Sequence, residues 1–249
     1  MTSAHEKKLI DNVALVTGAT RGIGKAVAAA YAREGASVFI CARNQQEVAA
    51  TVRELRDDIT DAQVDGCAGD VGNETDVRRI VGAVIKRFQT IHTVINNASL
   101  LGPRVPLVQY PVGQWEEVIR VNLNGVFFLI HHVVKQMIAQ RHGSIINVSS
   151  GVGRVGRARW GAYAVSKFGL EGLTQVLADE VKEFNVRVNS VNPGPTRTEM
   201  RAKAYPEEDP LTLPTPEQIT PIFVHLASAE SADVTGQALE AQDWSRPAN

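Results

Sequence analysis

The sequence predicts an α/β fold, a doubly wound parallel β-sheet with helices on both faces. Short apolar runs alternate with longer helical stretches, a glycine-rich turn joins the first such run to the first helix, and polar residues directly follow the runs. The chain has 249 residues with no internal repeat and no low-complexity linker. One domain, residues 1–249, can bury a sizeable core at this length.

The predicted strands are short and apolar, and the predicted helices are longer. The strands are residues 13–17, 37–41, 63–68, 93–96, 144–148 and 187–192, and the helices are residues 25–31, 45–56, 75–88, 123–140 and 161–184. Parallel strands have their carboxyl ends at one edge of the sheet, where ligands of such folds bind. We therefore expect one crevice to gather the residues that follow the strands, namely Gly18, Arg43, Asp70, Asn97, Ser150 and Pro193.

The turn after the first strand contains Gly18, Gly22 and Gly24 in the spacing G-x-x-x-G-x-G. A glycine-rich turn that leads into a helix lets backbone N–H groups approach a phosphate closely. The spacing is one residue longer than that of a nucleotide-triphosphate P-loop, and Ala26 follows Lys25 where Ser or Thr would be needed. The alternative is a tight turn without a ligand.

Tyr163 and Lys167 are four residues apart in a predicted helix and lie on the same face of it. An ammonium group beside a phenol stabilises the phenolate, so we expect Lys167 to lower the pKa of Tyr163 from about 10 toward neutrality. Such a tyrosine can act as a general acid and base. The same spacing also occurs by chance in many helices.

Together, these motifs and several others resemble the short-chain dehydrogenase/reductase family over nearly the whole chain, from Val13 to Gly236. Residues 17–24 look like its cofactor turn, residues 96–99 (Asn-Asn-Ala-Ser) like its N-N-A-G motif, and residues 192–194 with Thr198 like the segment that closes over the nicotinamide. The chain looks closest to the compact, β-ketoacyl carrier-protein reductase-like branch. The resemblance implies a Rossmann-type fold and an oxidoreductase that transfers hydride between a nicotinamide and a carbonyl or secondary alcohol.

The resemblance also implies a catalytic tetrad of Asn122, Ser150, Tyr163 and Lys167. In it, Tyr163 is the general acid/base, Lys167 holds the nicotinamide ribose, Ser150 binds the substrate oxygen, and Asn122 holds a water for proton relay. Ser149 is the alternative to Ser150, but Ser150 lies thirteen positions before Tyr163, and this spacing favours Ser150. No metal is expected. The alternative function is a dinucleotide-binding regulator of the same fold that has no turnover.

The cofactor is predicted to be NADP(H) rather than NAD(H). An NAD site usually has a carboxylate at the end of the second strand, whereas this chain has Ala42 followed by Arg43. Arg43 and Arg21 can bind a 2′-phosphate; the alternative is that Arg43 is a solvated surface residue. The predicted cofactor-binding residues are Gly18, Thr20, Arg21, Gly22, Ile23, Gly24, Arg43, Asn44, Asp70, Val71, Asn97, Ala98, Ser99, Tyr163, Lys167, Pro193, Gly194, Thr196 and Thr198.

The expected partners are a small-molecule carbonyl or alcohol and further copies of this chain. The predicted helices 123–140 and 161–184 carry apolar residues on more than one face, which favours a dimer or tetramer over deep burial in one subunit. A net charge of −1 gives no reason to expect nucleic acid or an anionic membrane as partner. The sequence shows neither a signal peptide nor an apolar run of membrane-spanning length, so we expect a cytoplasmic protein.

Three features depart from the family pattern or leave the substrate open. Ser99 replaces the last glycine of N-N-A-G and adds a hydroxyl near the cofactor. The substrate loop, about residues 199–216, is short and rich in Pro and charge, which indicates an open site. Arg154, Arg157 and Arg159 lie between Ser150 and Tyr163, where they either attract an anionic substrate or form a solvated loop.

Overall fold

Strands and helices alternate in the computed structural model, which describes residues 6–244. The strands are β1 (Val13–Thr17), β2 (Ser37–Ala42), β3 (Val64–Ala68), β4 (Thr93–Asn96), β5 (Gly143–Val148), β6 (Val186–Asn192) and β7 (Ala238–Glu240). The helices are α1 (Gly22–Arg33), α2 (Gln45–Asp58), α3 (Glu74–Phe88), α4 (Val112–Ile119), α5 (Gly125–Gln140), α6 (Gly161–Val181), α7 (Glu199–Ala204), α8 (Pro221–Ala227) and α9 (Ala241–Trp244).

All seven strands form one parallel sheet in the order β3-β2-β1-β4-β5-β6-β7. The order reverses between β1 and β4, which lie side by side, and ligands of such sheets bind at this point. Helices α1, α2 and α8 pack on one face and α3, α5 and α6 on the other, each burying an apolar cluster against the strands. The predicted doubly wound fold is confirmed.

Local sequence explains where the helices next to the predicted crevice begin. The Asn44 side chain accepts hydrogen bonds from the backbone N–H groups of Gln46 (2.9 Å) and Glu47 (3.2 Å) and so caps α2. Asn73 caps α3 in the same way, accepting from the N–H of Asp76 at 3.2 Å. Because asparagine provides the acceptor that the first turn of a helix lacks, both helices start immediately after a strand end and its loop.

The predicted strands agree with the structure to within one residue at each end, but several short elements were not predicted. The unpredicted elements are α4, α7, α8, α9 and β7. Strand β7 has three residues and lies at the sheet edge, too short for an alternating pattern. Helix α8 has seven residues, and five of them are buried, so it shows no single apolar stripe. The first two residues of the predicted helix 123–140 belong to a π-helical turn, Arg120–Asn124, and α5 begins after it. The last three residues of the predicted helix 161–184 form a 3₁₀ turn, Lys182–Phe184.

Candidate active site

A cleft of about 1370 Å³ opens at the carboxyl edge of the sheet, over the point where the strand order reverses. It brings together most of the predicted site residues from seven separate segments of the chain. The predicted residues that line it are Gly18, Thr20, Arg21, Gly22, Ile23, Arg43, Asn44, Asp70, Val71, Asn97, Ala98, Ser99, Ser150, Tyr163, Lys167, Pro193, Gly194, Thr196 and Thr198. Gly24 and Asn122 do not line it.

The glycine turn packs closely against the end of β4 and is hydrogen-bonded to it. Gly18 has φ +63°, and a Cβ there would lie 2.9 Å from the Cα of Ala98, so only glycine fits without strain. The Asn97 side chain donates to the carbonyl oxygens of Thr17 (2.8 Å) and Gly18 (3.1 Å). Gly24 packs behind the turn, where a Cβ would lie 2.5 Å from the Asn97 side chain. Gly24 therefore supports the turn from behind, while Gly18 and Asn97 both line the cleft.

At the β2 end of the cleft, Arg43 and Asn44 are exposed and no carboxylate occupies the position of Ala42. Arg21 forms a salt bridge with Glu199 at the start of α7 (3.3 Å), and both side chains are 64% exposed. Glu47, which the sequence analysis did not select, also lines the cleft and accepts a hydrogen bond from Thr20 at 3.3 Å. This end of the cleft is therefore polar and contains two arginines.

Asp70 is held by a residue that the sequence analysis missed. The Arg120 guanidinium donates to Asp70 at 2.8 Å and to both carboxylate oxygens of Glu117, at 2.7 and 2.8 Å. These hydrogen bonds raise the pKa of Arg120 and lower the pKa of Glu117. The fork of a guanidinium suits two carboxylates at once, so Asp70 keeps a fixed orientation at the cleft wall.

Tyr163 lies in the cleft with only 7% of its surface exposed. Burial raises the pKa of Tyr163 to about 12, and a hydrogen bond with Ser150 lowers it in part. We expected Lys167 to lower this pKa toward neutrality, and the structure differs. The Lys167 Nζ lies 5.6 Å from the centre of the phenol ring, and removal of the phenolate from water outweighs any effect of the ammonium group. Tyr163 is therefore a protonated phenol over the neutral range.

Lys167 is 3% exposed, and its Nζ donates to the carbonyl oxygen of Val148 at 2.7 Å. Burial lowers the pKa of Lys167 to about 8, while the nearby carboxylate of Glu171 raises it. The ammonium group is thus charged at neutral pH but loses its proton more easily than an exposed lysine.

Asn122 lies in the π-turn between α4 and α5, and its side chain lies behind the cleft. Its Oδ1 accepts from the Leu100 N–H at 2.7 Å, and its Nδ2 donates to the Leu100 carbonyl at 2.9 Å and to Ser166 Oγ at 3.1 Å. A buried amide must satisfy both ends, and the backbone of Leu100 does so here. The predicted role of Asn122 in a proton relay stays a prediction. π-turns of this kind often occur at functional sites.

The hydroxyl of Ser99 is buried and has no hydrogen-bond partner among residues 6–244. Ser99 lines the cleft, but its Oγ atom is itself buried, so a bound ligand reaches this hydroxyl only if the side chain reorients. The replacement of glycine by serine in the N-N-A-S segment therefore adds a polar group to the cleft wall.

Beyond Tyr163, the cleft wall is apolar and is covered by the segment 199–216. The wall consists of Leu101, Val152, Trp160, Met200, Ala204 and Tyr205. Helix α7 is capped by Thr198, which accepts from the Arg201 N–H at 3.1 Å, and Arg201 binds Glu208 through two contacts of 2.6 Å. The segment 199–216 thus contributes Met200, Ala204 and Tyr205 to the apolar cluster that includes Trp160 and Tyr163, and the expectation of an open site stays a prediction.

The three loop arginines have different environments. Arg154 turns away from the cleft and contacts Glu171 and Glu240. Arg157 is exposed and lines the cleft, whereas Arg159 is exposed but does not line it. Among these arginines, a substrate in the cleft can therefore meet Arg157 alone.

The sequence model of the family described as "short chain dehydrogenase" matches residues 12–209. The chain belongs to this family. With the uncharacterized oxidoreductase YciK of Escherichia coli K12 it is 38% identical over 96% of this chain and 95% of that protein. With the 3-oxoacyl-[acyl-carrier-protein] reductase FabG of Thermotoga maritima it is 36% identical over 93% of this chain and 96% of that protein.

Solved structures of short-chain dehydrogenases share the fold closely. One from Shigella flexneri, complexed with NADP, superposes with a TM-score of 0.91 at 37% identity, covering 95% of this chain and 99% of that chain. A structure of a protein from Escherichia coli CFT073, complexed with NADPH, gives a TM-score of 0.91 at 38% identity, covering 96% of this chain and 100% of that chain. The predicted family and the Rossmann-type fold are confirmed.

Within residues 6–244, no helix has the length and apolar character needed to cross a membrane. The same residues contain no group of three or more His, Cys, Asp or Glu side chains placed to hold a metal ion. The chain is an oxidoreductase of this family.

Proposed function

We propose that this chain is an NADPH-dependent carbonyl reductase in which Tyr163 is the general acid. The observation that supports this most directly is that Ser150, Tyr163 and Lys167 all line one cleft, where Tyr163 belongs to an apolar cluster of the wall. A protonated Tyr163 suits the reducing direction, because its pKa of about 12 keeps the proton available for a developing alkoxide.

The cleft fits NADP(H). At Gly18 the absence of a Cβ lets the turn lie close to Ala98, which suits a bound dinucleotide. Ala42 stands where NAD sites usually have a carboxylate, which suits the 2′-phosphate of NADP(H). Solved relatives complexed with NADP or NADPH support the same assignment. When bound, the cofactor supplies the hydride to the carbonyl carbon. The residues expected to hold it are the glycine turn, Arg21, Arg43, Asn44, Asp70, Val71, Asn97–Ser99 and the segment from Pro193 to Thr198.

The chain's own residues then carry the rest of the reaction. The Ser150 hydroxyl binds the substrate oxygen and stabilises its developing negative charge. The Tyr163 phenol gives its proton to that oxygen, and the Lys167 ammonium stabilises the phenolate that remains. The apolar wall formed by Trp160, Met200 and Tyr205 excludes water from the reacting carbonyl.

The experiment that tests this function is oxidation of NADPH and of NADH, followed by absorbance, against a panel of carbonyl compounds. The panel contains β-ketoacyl thioesters, β-keto esters, diketones, quinones, aldehydes, sugars and steroids. Turnover with NADPH and a member of the panel supports the proposal. NADPH binding without turnover on any member favours the alternative of a dinucleotide-binding regulator.

Arg43→Ala is expected to lower the preference for NADPH over NADH by about tenfold or more. A charge-assisted hydrogen bond to the 2′-phosphate contributes roughly 1.5–3 kcal/mol, and NADH lacks that phosphate. The dissociation constants of both cofactors, measured by fluorescence, give the ratio. Arg53→Ala is the control, because Arg53 is exposed on α2 and outside the cleft. An unchanged ratio in Arg43→Ala rejects the role of Arg43.

We also propose that the chain forms a homo-oligomer through α5 and α6. These helices leave large apolar side chains exposed in the single chain, namely Phe127, Val165, Phe168 and Val176. Phe168→Glu is expected to convert the oligomer to monomers, because it places a charge in the contact. Light scattering at micromolar concentration measures the change, with Glu180→Gln at an exposed site of α6 as control. A wild-type chain that is already monomeric excludes this assembly.

The cytoplasmic localisation expected from the sequence stays a prediction.

A further inference from the structure

Glu171 is a buried carboxylate at the base of the candidate active site. It is 8% exposed and lies on α6 four residues after Lys167, on the same face of the helix. Its Oε1 accepts from the Ser149 hydroxyl at 2.5 Å and its Oε2 from the Ser190 hydroxyl at 2.6 Å. A carboxylate removed from water is costly unless donors surround it, and both oxygens have donors here.

The carboxylate also joins a chain of polar contacts to the segment beside the cleft. Arg154 Nε approaches Glu171 Oε1 at 3.4 Å, and the Arg154 guanidinium also binds Glu240. The Asn192 side chain donates to Glu240 at 2.7 Å and accepts from the Gly194 N–H at 3.1 Å. Glu171 thus links α6 to the ends of β5, β6 and β7, and through them to Pro193 and Gly194.

Few charges lie near the buried ammonium of Lys167. On its own helix these are Glu171 and the titratable phenol of Tyr163, and β5 offers only the neutral carbonyl of Val148 and the neighbouring serine hydroxyls. The loop after β5 provides Arg154 and β7 provides Glu240, which pair with each other. Within residues 6–244, Glu171 is the carboxylate that raises the pKa of Lys167 against the effect of burial.

We propose that Glu171 is a positioning residue for proton transfer at Tyr163, which stabilises the Lys167 ammonium and fixes the strand ends around it. The inference rests on the proposed reductase function, in which the charged form of Lys167 is needed. If Glu171 acts through Lys167, its removal changes the pH at which the site works. If its role is structural only, its removal weakens activity equally at every pH.

Glu171→Gln tests the proposal, since the amide keeps the size of the side chain and removes its charge. We expect the pH dependence of kcat/KM for NADPH-dependent reduction to have an alkaline limb set by Lys167, near pH 8 in the wild type. We expect Glu171→Gln to move this limb to lower pH by about one unit, because a charge one helical turn away is lost. The second readout needs no turnover: the ¹³Cε signal of Lys167 is titrated by NMR and assigned with Lys167→Arg, and the same downward shift is expected.

Two controls separate charge from packing. Ser190→Ala removes one donor and leaves the charge of Glu171 in place, and Glu180→Gln removes a charge from an exposed position of the same helix. Both are expected to leave the Lys167 titration within about 0.3 pH units of the wild type. A folded Glu171→Gln protein whose Lys167 titration is unchanged overturns the proposal, whatever its activity.

Arg154→Gln keeps the test decisive if Glu171→Gln does not fold. Arg154 is half-buried, and its loss frees the negative charge of Glu171 to act on Lys167. The Lys167 titration is then expected to move to higher pH by up to about half a unit, opposite to Glu171→Gln. An unchanged or lowered Lys167 pKa in Arg154→Gln overturns the proposal. Because the NMR readout needs no substrate, failure of the reductase function and failure of this inference are distinguishable.

Discussion

Tyr163→Phe is expected to lower kcat/KM for carbonyl reduction by about 10³-fold, with NADPH still bound at close to its wild-type affinity. The substitution removes the phenol proton and leaves the ring that packs with Trp160 and Ala204. The described partner of this hydroxyl is Ser150, so removal of the hydroxyl costs one hydrogen bond and leaves the fold intact. Steady-state kinetics on a substrate found in the carbonyl panel, with NADPH affinity measured by fluorescence, checks both expectations.

Tyr31→Phe is the matched control for this variant. Tyr31 is a fully buried residue of α1 that does not line the cleft, and its hydroxyl donates to the Phe223 carbonyl of α8 at 2.7 Å. The same loss of one hydroxyl is expected to lower stability by about 1 kcal/mol and to leave kcat/KM unchanged. If Tyr163→Phe retains a tenth or more of the wild-type activity, the proton comes from another group and the assignment of Tyr163 is rejected.

The sequence predicted the central features of the fold because alternating apolar and helical segments have few ways to pack. Each strand from β1 to β6 was found to within one residue, since buried parallel strands are short continuous apolar runs. The positions just past these strands also followed from the sequence, because the carboxyl ends of a parallel sheet share one edge. This explains why residues as distant as Gly18 and Pro193 were correctly placed in one cleft.

The contacts behind the cleft were not predictable in the same way. Arg120 precedes Asn122 by two residues, and nothing in the sequence indicates that it bridges Glu117 and Asp70. Glu171 did carry a signal, because it lies one turn from Lys167 on the same face, but its two serine partners come from the residue after β5 and from β6. Burial, which decides the pKa of Tyr163, depends on side chains from separate segments that pack around it, and no local sequence pattern identifies them.

Lys167→Met is expected to make the protein more stable at pH 7, by about 2 kcal/mol, although it removes a proposed catalytic group. The pKa of Lys167 falls from 10.5 to about 8 in the folded state, so its charge costs about 3 kcal/mol at neutral pH. Loss of the hydrogen bond to the Val148 carbonyl offsets about 1 kcal/mol of the stability gained by removing the charge. Urea unfolding of both proteins at one fixed protein concentration measures the difference. Such an exchange of stability for function is common at active sites.

The pH dependence separates this effect from simple packing. Above pH 8 the folded wild type releases the Lys167 proton while the unfolded chain keeps it until about pH 10.5, so wild-type stability rises with pH in this window. Tyr163 has the opposite effect, but only above its unfolded pKa of about 10. The advantage of Lys167→Met is therefore expected to shrink by about 2 kcal/mol between pH 8 and pH 10. Lys182→Met, at an exposed position, provides the control with a small, pH-independent change over this range. If the stability difference between Lys167→Met and the wild type stays constant with pH, Lys167 does not titrate near pH 8. The alkaline limb expected for kcat/KM is then rejected as well.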